Sequence, residues 1–478
     1  MQTQLEAFES SSPRFTPRPI PFASRLIHGA VIGLWCALFA SAFFLKGLFA
    51  WSTGIAYVIY DTLLLLFVFW QSLPLLRRVM AAPRSAASAT VGVIVAARNE
   101  AGVLRITLDA LIAQDDRPDL IVLADDGSTD GSDLVLKEHY GFTVPEVGSS
   151  MDIVRDETKI VWLRLEGGGK ARALNAAMLL MDCEVIVTVD ADTLLDPSAL
   201  SAVRRAFENE PELVAATGVL APLCPRSIKG RVFQWFQHYE YIRNFLSRYA
   251  WMRFDSLLLI SGAFASFRRT ALLAVGGFDE DCLVEDYELI HRLRRYAALN
   301  GLDWRSRVLG DAFAYTDAPA TVASFLRQRR RWFGGFLQTQ YWYREMVGDR
   351  RYGWLGTLML PVKAFDTVQP IFGLSALFLL VYYLATGRYA ILLPVSIVIL
   401  SKIGIDLAYH AYSVYVYRRW IGTKTRGRMG IAVLAALAEP FSFQILRHVG
   451  ATWGWFAFLS GANTWGKQQR RSLAARAR

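Results

Sequence analysis

Asp190 and Asp192 stand one residue apart in the stretch VIVTVDADTLLDP (Val185–Pro197), directly after five β-branched residues. Branched side chains suit a buried pleated strand, so the strand's end delivers both carboxylates to one edge. Two like charges held there repel unless something positive lies between them. Hard oxygen ligands at a strand end suit Mg2+ or Mn2+, which keeps waters and bridges to substrate phosphates. A helix N-cap before TLLDP accounts for only one of the two acids.

Four further stretches carry residues suited to chemistry. In EGGGKARALN, Gly167, Gly168 and Gly169 precede Lys170 and a helical pattern, so backbone can approach a phosphate and Lys170 can supply a point charge. The spacing is not that of a Walker loop, and a flexible turn with a solvated lysine is the competing reading. In LIVLADDGSTDGS, Asp125 and Asp126 end a strand, where they can meet a nucleotide base or close an Asx turn. In CLVEDYELIHRLRR, Glu285 and Asp286 open an amphipathic helix, where an acid can be a proton acceptor or simply a partner of the helix dipole. In RQRRRWFGGF, Gln328, Arg331 and Trp332 accompany further arginines, a pattern that also fits a basic helix on a membrane. The spacing of Val232, Trp235, Phe236, Tyr239, Ile242, Leu246 and Tyr249 favours a core or membrane-facing helix over a sugar platform.

The elements that must hold these residues alternate between strand and helix. Strands at Val91–Ala96, Leu120–Leu123 and Val185–Val189, each leading through a turn towards a helical pattern, imply a mostly parallel sheet with helices on both faces. Ligands of such sheets bind beyond the carboxyl ends of the strands, so Arg98–Glu100, Asp125–Asp126 and Asp190–Asp192 converge on one cleft.

The remainder is too apolar for a soluble protein. Of the 478 residues, 53% are hydrophobic, and the mean hydropathy is +0.27. Leu26–Ala50 and Thr53–Leu76 are each long enough to span a bilayer, and Pro370–Thr386 with Tyr389–Val416 reads as a second hairpin. Arg14, Arg18 and Arg25 precede the first pair, and Arg77, Arg78 and Arg84 follow it, which places both flanks in the cytoplasm. Ala81–Thr90 reads as a linker, and Arg418–Arg428 as a basic cytoplasmic loop. Met429–Ser460 is apolar but holds Glu439, Pro440, Arg447 and His448, and a basic tail follows it. One crossing would put that tail outside, so an in-plane or re-entrant segment is expected, with both termini cytoplasmic. The net charge of +10 clusters beside apolar runs, which favours anionic lipid headgroups over nucleic acid as a partner. Cys36, Cys183, Cys224 and Cys282 have neither metal-ligand nor disulfide spacing.

The series AARNE, DDGSTDGS, GGKARALNAAM, VDAD, SGAFASFRR, VEDYEL and QRRRW, in that order across Val91–Trp332, resembles the motifs of the processive, membrane-embedded family-2 glycosyltransferases. These include the synthases of cellulose, hyaluronan, chitin and poly-N-acetylglucosamine. Ala96 stands where a Pro is common and Val284 where a Thr is common. The resemblance implies an α/β GT-A-type (Rossmann-like) cytoplasmic catalytic domain flanked by transmembrane helices. It implies an inverting transfer from a UDP-sugar to a growing β-linked polysaccharide, with Mg2+ or Mn2+ at Asp190 and Asp192. Ala97, Glu100, Asp125, Asp126, Lys170 and Asp190 would bind the nucleotide sugar, with Asp126 facing the uracil ring. Asp286 would be the general base, supported by Glu285, and Gln328, Arg331 and Trp332 would cradle the diphosphate and the acceptor sugar.

The corresponding layout is a cytoplasmic tail (1–24), two transmembrane helices (25–79), the glycosyltransferase domain (85–335) and an interfacial segment (336–366). A transmembrane hairpin (367–416), a basic loop with an apolar interfacial, re-entrant or transmembrane segment (417–463) and a basic tail (464–478) follow. The expected partners are the UDP-sugar, a polysaccharide or lipid-linked acceptor and membrane lipids; accessory export subunits are not legible. A single transfer to a lipid acceptor, a catalytically dead nucleotide-binding scaffold and a transporter are the competing readings; the intact set of acids argues against the last two.

Overall fold

A computed structural model of the chain describes residues 2–77, 89–422 and 429–461. Arg78, Arg84, most of the linker, the distal part of the basic loop and the C-terminal tail lie outside the described residues.

Among the described residues, nine strands form one sheet: β1 (Val91–Ala97), β2 (Leu120–Asp126), β3 (Ser150–Arg155), β4 (Thr158–Leu165), β5 (Val185–Asp190), β6 (Thr193–Leu195), β7 (Leu213–Leu223), β8 (Phe264–Arg268) and β9 (Arg305–Asp317). Their order is β3-β4-β2-β1-β5-β8-β7-β9-β6. The three strands read from the sequence, β1, β2 and β5, are central and parallel, and all of β7 is buried, as expected where both faces are covered. The sheet as a whole is mixed, not mostly parallel. β8 runs antiparallel to β5 and β7, and β6 antiparallel to β9. β3 and β4 form a hairpin whose connecting residues, Asp156 and Glu157, both have positive φ, as a tight two-residue turn requires.

Among the described residues, four helical stretches are long and apolar enough to cross a membrane: Phe22–Ser41, Gly47–Leu76, Leu355–Ala385 and Tyr389–Trp420. The third packs on the first two. There Trp51 Nε1 donates to Ala376 O at 2.8 Å, and the Tyr383 hydroxyl donates to Ala42 O and Ala50 O at 2.8 Å each. Pro370 does not start this helix; it lies inside Leu360–Ala385. The stretch 336–366 is therefore divided between the end of helix Val322–Trp342, short turns and the start of this span.

Two terminal segments dock on the domain that holds the sheet. Helix Gln2–Ser11 packs on it: Ser11 Oγ donates to Val275 O (3.1 Å), and Arg14 pairs with Asp279 (3.0 Å). The last apolar run is two helices, Met429–Ala438 and Phe443–Leu459, broken at Glu439–Phe441. Phe443–Leu459 lies along Val322–Trp342, and the polar residues that made this run awkward each find a partner. Glu439 pairs with Arg243, Arg447 lies 3.8 Å from Glu240, and His448 contacts Tyr57. The two helices approach at glycine: a Cβ at Gly454 would fall 2.5 Å from Arg330 O and 2.8 Å from Gly334 N.

That seam is testable. Gly454→Ala must separate the helices and destabilise the protein by about 1–3 kcal/mol, the usual scale of overpacking. Gly404→Ala, where a Cβ meets nothing within 4 Å, serves as the control. Thermal unfolding in detergent should show a lower Tm for the first and none for the second; equal Tm values would contradict the packing.

Candidate active site

The carboxyl ends of β1, β2 and β5 lie side by side, with Ala97 opposite Asp125 and Ala96 opposite Asp190. Lys170, the first residue of helix Lys170–Leu179, reaches across this edge. Its Nζ lies 2.6 Å from Asp190 Oδ1, 3.3 Å from Glu285 Oε1 and 3.5 Å from Gly262 O. Burial alone would lower the lysine, but Asp190, then Glu285 and Asp286, hold it above its ordinary range.

Glu285 and Asp286 occupy the first turn of helix Glu285–Asn300. Asp286 Oδ2 accepts from Gly262 N at 2.6 Å and Oδ1 from Tyr287 N at 2.9 Å. Burial and then the charge of Glu285 raise Asp286 above the ordinary carboxylate range; Lys170 and the two backbone N–H groups act in the opposite direction. Val284 has no side-chain oxygen to cap this helix. Instead it packs on helix Val322–Trp342, where a Cβ at Gly335 would meet Val284 Cγ2 at 2.5 Å. Farther along, buried arginines pin the same helix: Arg292 to Glu288, Val275 O and Gly277 O, and Arg295 to Glu345, Ser11 O and Thr16 O.

One cavity of about 410 Å³ is lined by Lys170, Asp190, Asp192, Glu285, Asp286, Gln328, Arg331 and Trp332. Eight of the residues singled out in the sequence, from four separate stretches, therefore meet. Ala97, Glu100, Asp125 and Asp126 lie outside its lining. Asp126 is tied to it through the glycine turn, since its carboxylate accepts from Gly168 N (2.7 Å) and Gly169 N (3.0 Å) and pairs with Arg98 (3.2 Å). Asp125 Oδ1 accepts from Ser128 N at 2.9 Å, the Asx turn that the sequence left open. Glu100 precedes helix Ala101–Ile112, and its carbonyl accepts from Val103 N and Leu104 N.

Asp192, 5% exposed, and Asp190 offer hard oxygens on the cavity wall. No group of three His, Cys, Asp or Glu side chains suited to a metal occurs among the described residues. The donor set fits Mg2+ or Mn2+ that completes its shell with water and substrate phosphate, and does not fit an all-protein cage.

Residues 92–276 match the family described as Glycosyl transferase family 2, and residues 185–401 match Glycosyl transferase family group 2. Together these matches make residues 92–401 a glycosyl transferase family 2 region. The glycosyltransferase is 25% identical to poly-β-1,6-N-acetyl-D-glucosamine synthase of Staphylococcus epidermidis over 335 residues, 68% of this chain and 69% of that protein. It is 26% identical to the synthase of Staphylococcus aureus over 246 residues, so this match spans about half of each, 51% and 53%. Its fold resembles that of the mannosyltransferase PcManGT from Pyrobaculum calidifontis, solved in complex with GDP-Man and Mn2+. The TM-score is 0.52 at 22% identity, covering 82% of this chain and 99% of that one. The GT-A class expected from the sequence is the fold observed.

Sequence reasoning missed several residues of the cavity wall. Glu240 is buried, pairs with Arg329 at 2.7 Å and anchors the helix of Gln328–Trp332. A carboxylate inside the aromatic stripe Trp235–Tyr249 was its signal. Asp317, at the end of β9, donates its N–H to Asp192 O at 3.2 Å. Tyr60, Asp61 and Lys363 come from the apolar helices, and nothing in their local sequence points at this site.

The pH profile of kcat tests the arrangement. A base whose pKa is raised is protonated, and lost, as pH falls through that raised value, so the acidic limb should lie above the ordinary carboxylate value of about 4. Glu285→Gln removes the like charge and should shift the limb to lower pH. A limb that does not move would contradict the coupling.

Proposed function

We propose that this glycosyltransferase, facing the cytoplasm, transfers sugar from a UDP-sugar to a growing β-linked polysaccharide with inversion, and passes the chain outward between its own helices. The observation that carries this reading is the single cavity shared by the catalytic acids and the apolar helices. Its walls include Lys170, Asp190 and Asp286 at one end and Tyr60, Asp61, Lys363, Asp366 and Gln369 from the helices. Charged groups within a bilayer are costly unless paired or facing an interior path. Lys402 does pair with Asp61 (2.6 Å) and Asp406, and Lys363 with Asp366 (2.5 Å), while Asp61, Lys363 and Asp366 also face the cavity.

In this reading Asp286 accepts the proton of the acceptor hydroxyl while that oxygen attacks the anomeric carbon from the face opposite the diphosphate. The bond from the anomeric carbon to the diphosphate oxygen breaks, and UDP leaves. Lys170, Gln328 and Arg331 hold the diphosphate, and the indole of Trp332 faces the acceptor sugar. The nucleotide base rests at Ala97, Glu100, Asp125 and Asp126. Asp190 and Asp192 would hold Mg2+ or Mn2+, which when bound neutralises charge on the departing diphosphate. A second reading, one transfer to a lipid-linked acceptor, draws support from the apolar part of the same wall, Leu64, Leu65 and Val68.

Purified protein in lipid vesicles, supplied with Mg2+ or Mn2+ and a panel of UDP-sugars with GDP-mannose as a further donor, tests both readings. Synthesis should yield chains of many units, and Trp332→Ala should stop elongation. A product that stays a one-sugar lipid at all reaction times would overturn the polymerase reading.

The metal has its own test. Asp192→Asn should lower turnover by at least about 100-fold, the scale of losing one charge-stabilising group. Chelators should do the same to the wild type until the metal is restored. Full activity in excess chelator would contradict the assignment.

A further inference from the structure

Arg248 has no part in the chemistry above, yet it lines the same cavity from helix Ile228–Met252. Its Nε and Nη1 are buried and have no hydrogen-bond partner among the described residues. Its guanidinium rests 4.5 Å from the ring centroid of Phe245, on its own helix. Other cations of that wall are matched: Arg243 with Glu439, Arg329 and Arg447 with Glu240, Lys363 with Asp366. Burial pushes Arg248 down to about 10, against the pull of Asp286 and Tyr241. A buried guanidinium without hydrogen-bonding partners is destabilising, and its fork of donors matches a phosphate or a carboxylate.

Its position selects the ligand. Arg248 sits one helical turn before Trp251, whose ring lies 4.5 Å from that of Phe67 on the second apolar helix. Two residues after Trp251, Arg253 Nη1 donates to Gln71 O at 3.0 Å, near the end of the same apolar helix. The same cavity is also lined by Met359, Val362 and Lys363 from the start of the third. Arg248 is thus held where the apolar helices end, the level of lipid headgroups. A cavity lined by both aliphatic side chains (Leu64, Leu65, Val68) and acids (Asp190, Asp286) suits an amphiphile with an anionic head.

We propose that Arg248 binds the phosphate of a membrane lipid that carries the acceptor, holding that lipid's head beside Asp286. The proposal rests on the reading of Asp286 as the base that serves the acceptor. It names a lipid-phosphate-borne acceptor as the substrate class; with the phosphate held beside Asp286 it describes the first transfers, onto the lipid phosphate or a short sugar on it.

Direct binding tests this without turnover. Wild type, Arg248→Gln and Arg248→Lys in phosphatidylcholine nanodiscs are titrated with a polyprenyl phosphate, the matching polyprenol and inorganic phosphate. Wild type should bind the polyprenyl phosphate at least about tenfold more tightly than the polyprenol, the scale of one charge-assisted hydrogen bond. Arg248→Gln should erase the difference, Arg248→Lys should keep part of it, and inorganic phosphate should compete weakly.

Equal binding of phosphate and alcohol by wild type, or an undiminished preference in Arg248→Gln, overturns the proposal. Tight competition by inorganic phosphate alone overturns the lipid assignment in favour of a free phosphate. UDP binding reports whether each variant is folded. If Arg248→Gln is not, the Arg248→Lys variant and the wild-type comparison decide. No donor sugar is used, so a failed UDP-sugar panel and a failed lipid titration remain distinct results.

Discussion

The ammonium of Lys170 lies among Asp190, Glu285 and Asp286, carboxylates brought from the end of a central strand and the start of a distant helix. Without a cation, three acids on one cavity wall repel, and removing one partner of a partly buried pair costs on the order of 3–5 kcal/mol before solvent screening reduces it. Lys170 is about a quarter exposed, so water shares the work. The same ammonium stands where a sugar diphosphate would present its own charge, so the counter-ion that permits the cluster is also available to a substrate. In the proposed reading, the repulsion posed by Asp190 and Asp192 is answered in part by Lys170 beside Asp190 and in part by the cation that would accompany the diphosphate.

Three supports keep that cluster in register. The glycine turn before Lys170 is held by the Asp126 carboxylate. The helix of Asp286 is fixed from behind by Arg292 and Arg295, each buried and each satisfied by several oxygens, as buried cations must be. The helix of Gln328, Arg331 and Trp332 is clamped between Glu240 on one side and Phe443–Leu459 on the other. Because the N-terminal helix and the last helix both serve these supports, the site depends on segments far from the catalytic motifs in sequence.

That dependence explains what could be read in advance. β2 and β5 were legible because apolar runs ending in acids carry both a strand signal and a chemical one, and β1 because its Val and Ile residues lead into a turn and a helical pattern. The convergence of Asp190, Asp286 and Trp332 followed from the motif series, and Lys170 from its glycines. β8 was hidden because FASFR reads as part of a motif, and its antiparallel pairing with β5 and β7 is made with strands far away in sequence. The docking of Gln2–Ser11 and the break at Glu439–Phe441 rest on partners hundreds of residues away. Arg14 with Asp279 and Glu439 with Arg243 are pairings that no local window contains. Val284, where the resemblance leads one to expect a threonine cap, turned out to be a packing residue against Gly335.

The central claim is that a nucleotide diphosphate and its cation enter the charge cluster around Lys170. Anomalous scattering from Mn2+ in crystals soaked with UDP would locate the ion directly. The account requires the peak beside Asp190 or Asp192, with the diphosphate within reach of Lys170. A UDP-bound structure with the ion and diphosphate elsewhere, and the Lys170–Asp190 pair undisturbed, would contradict it.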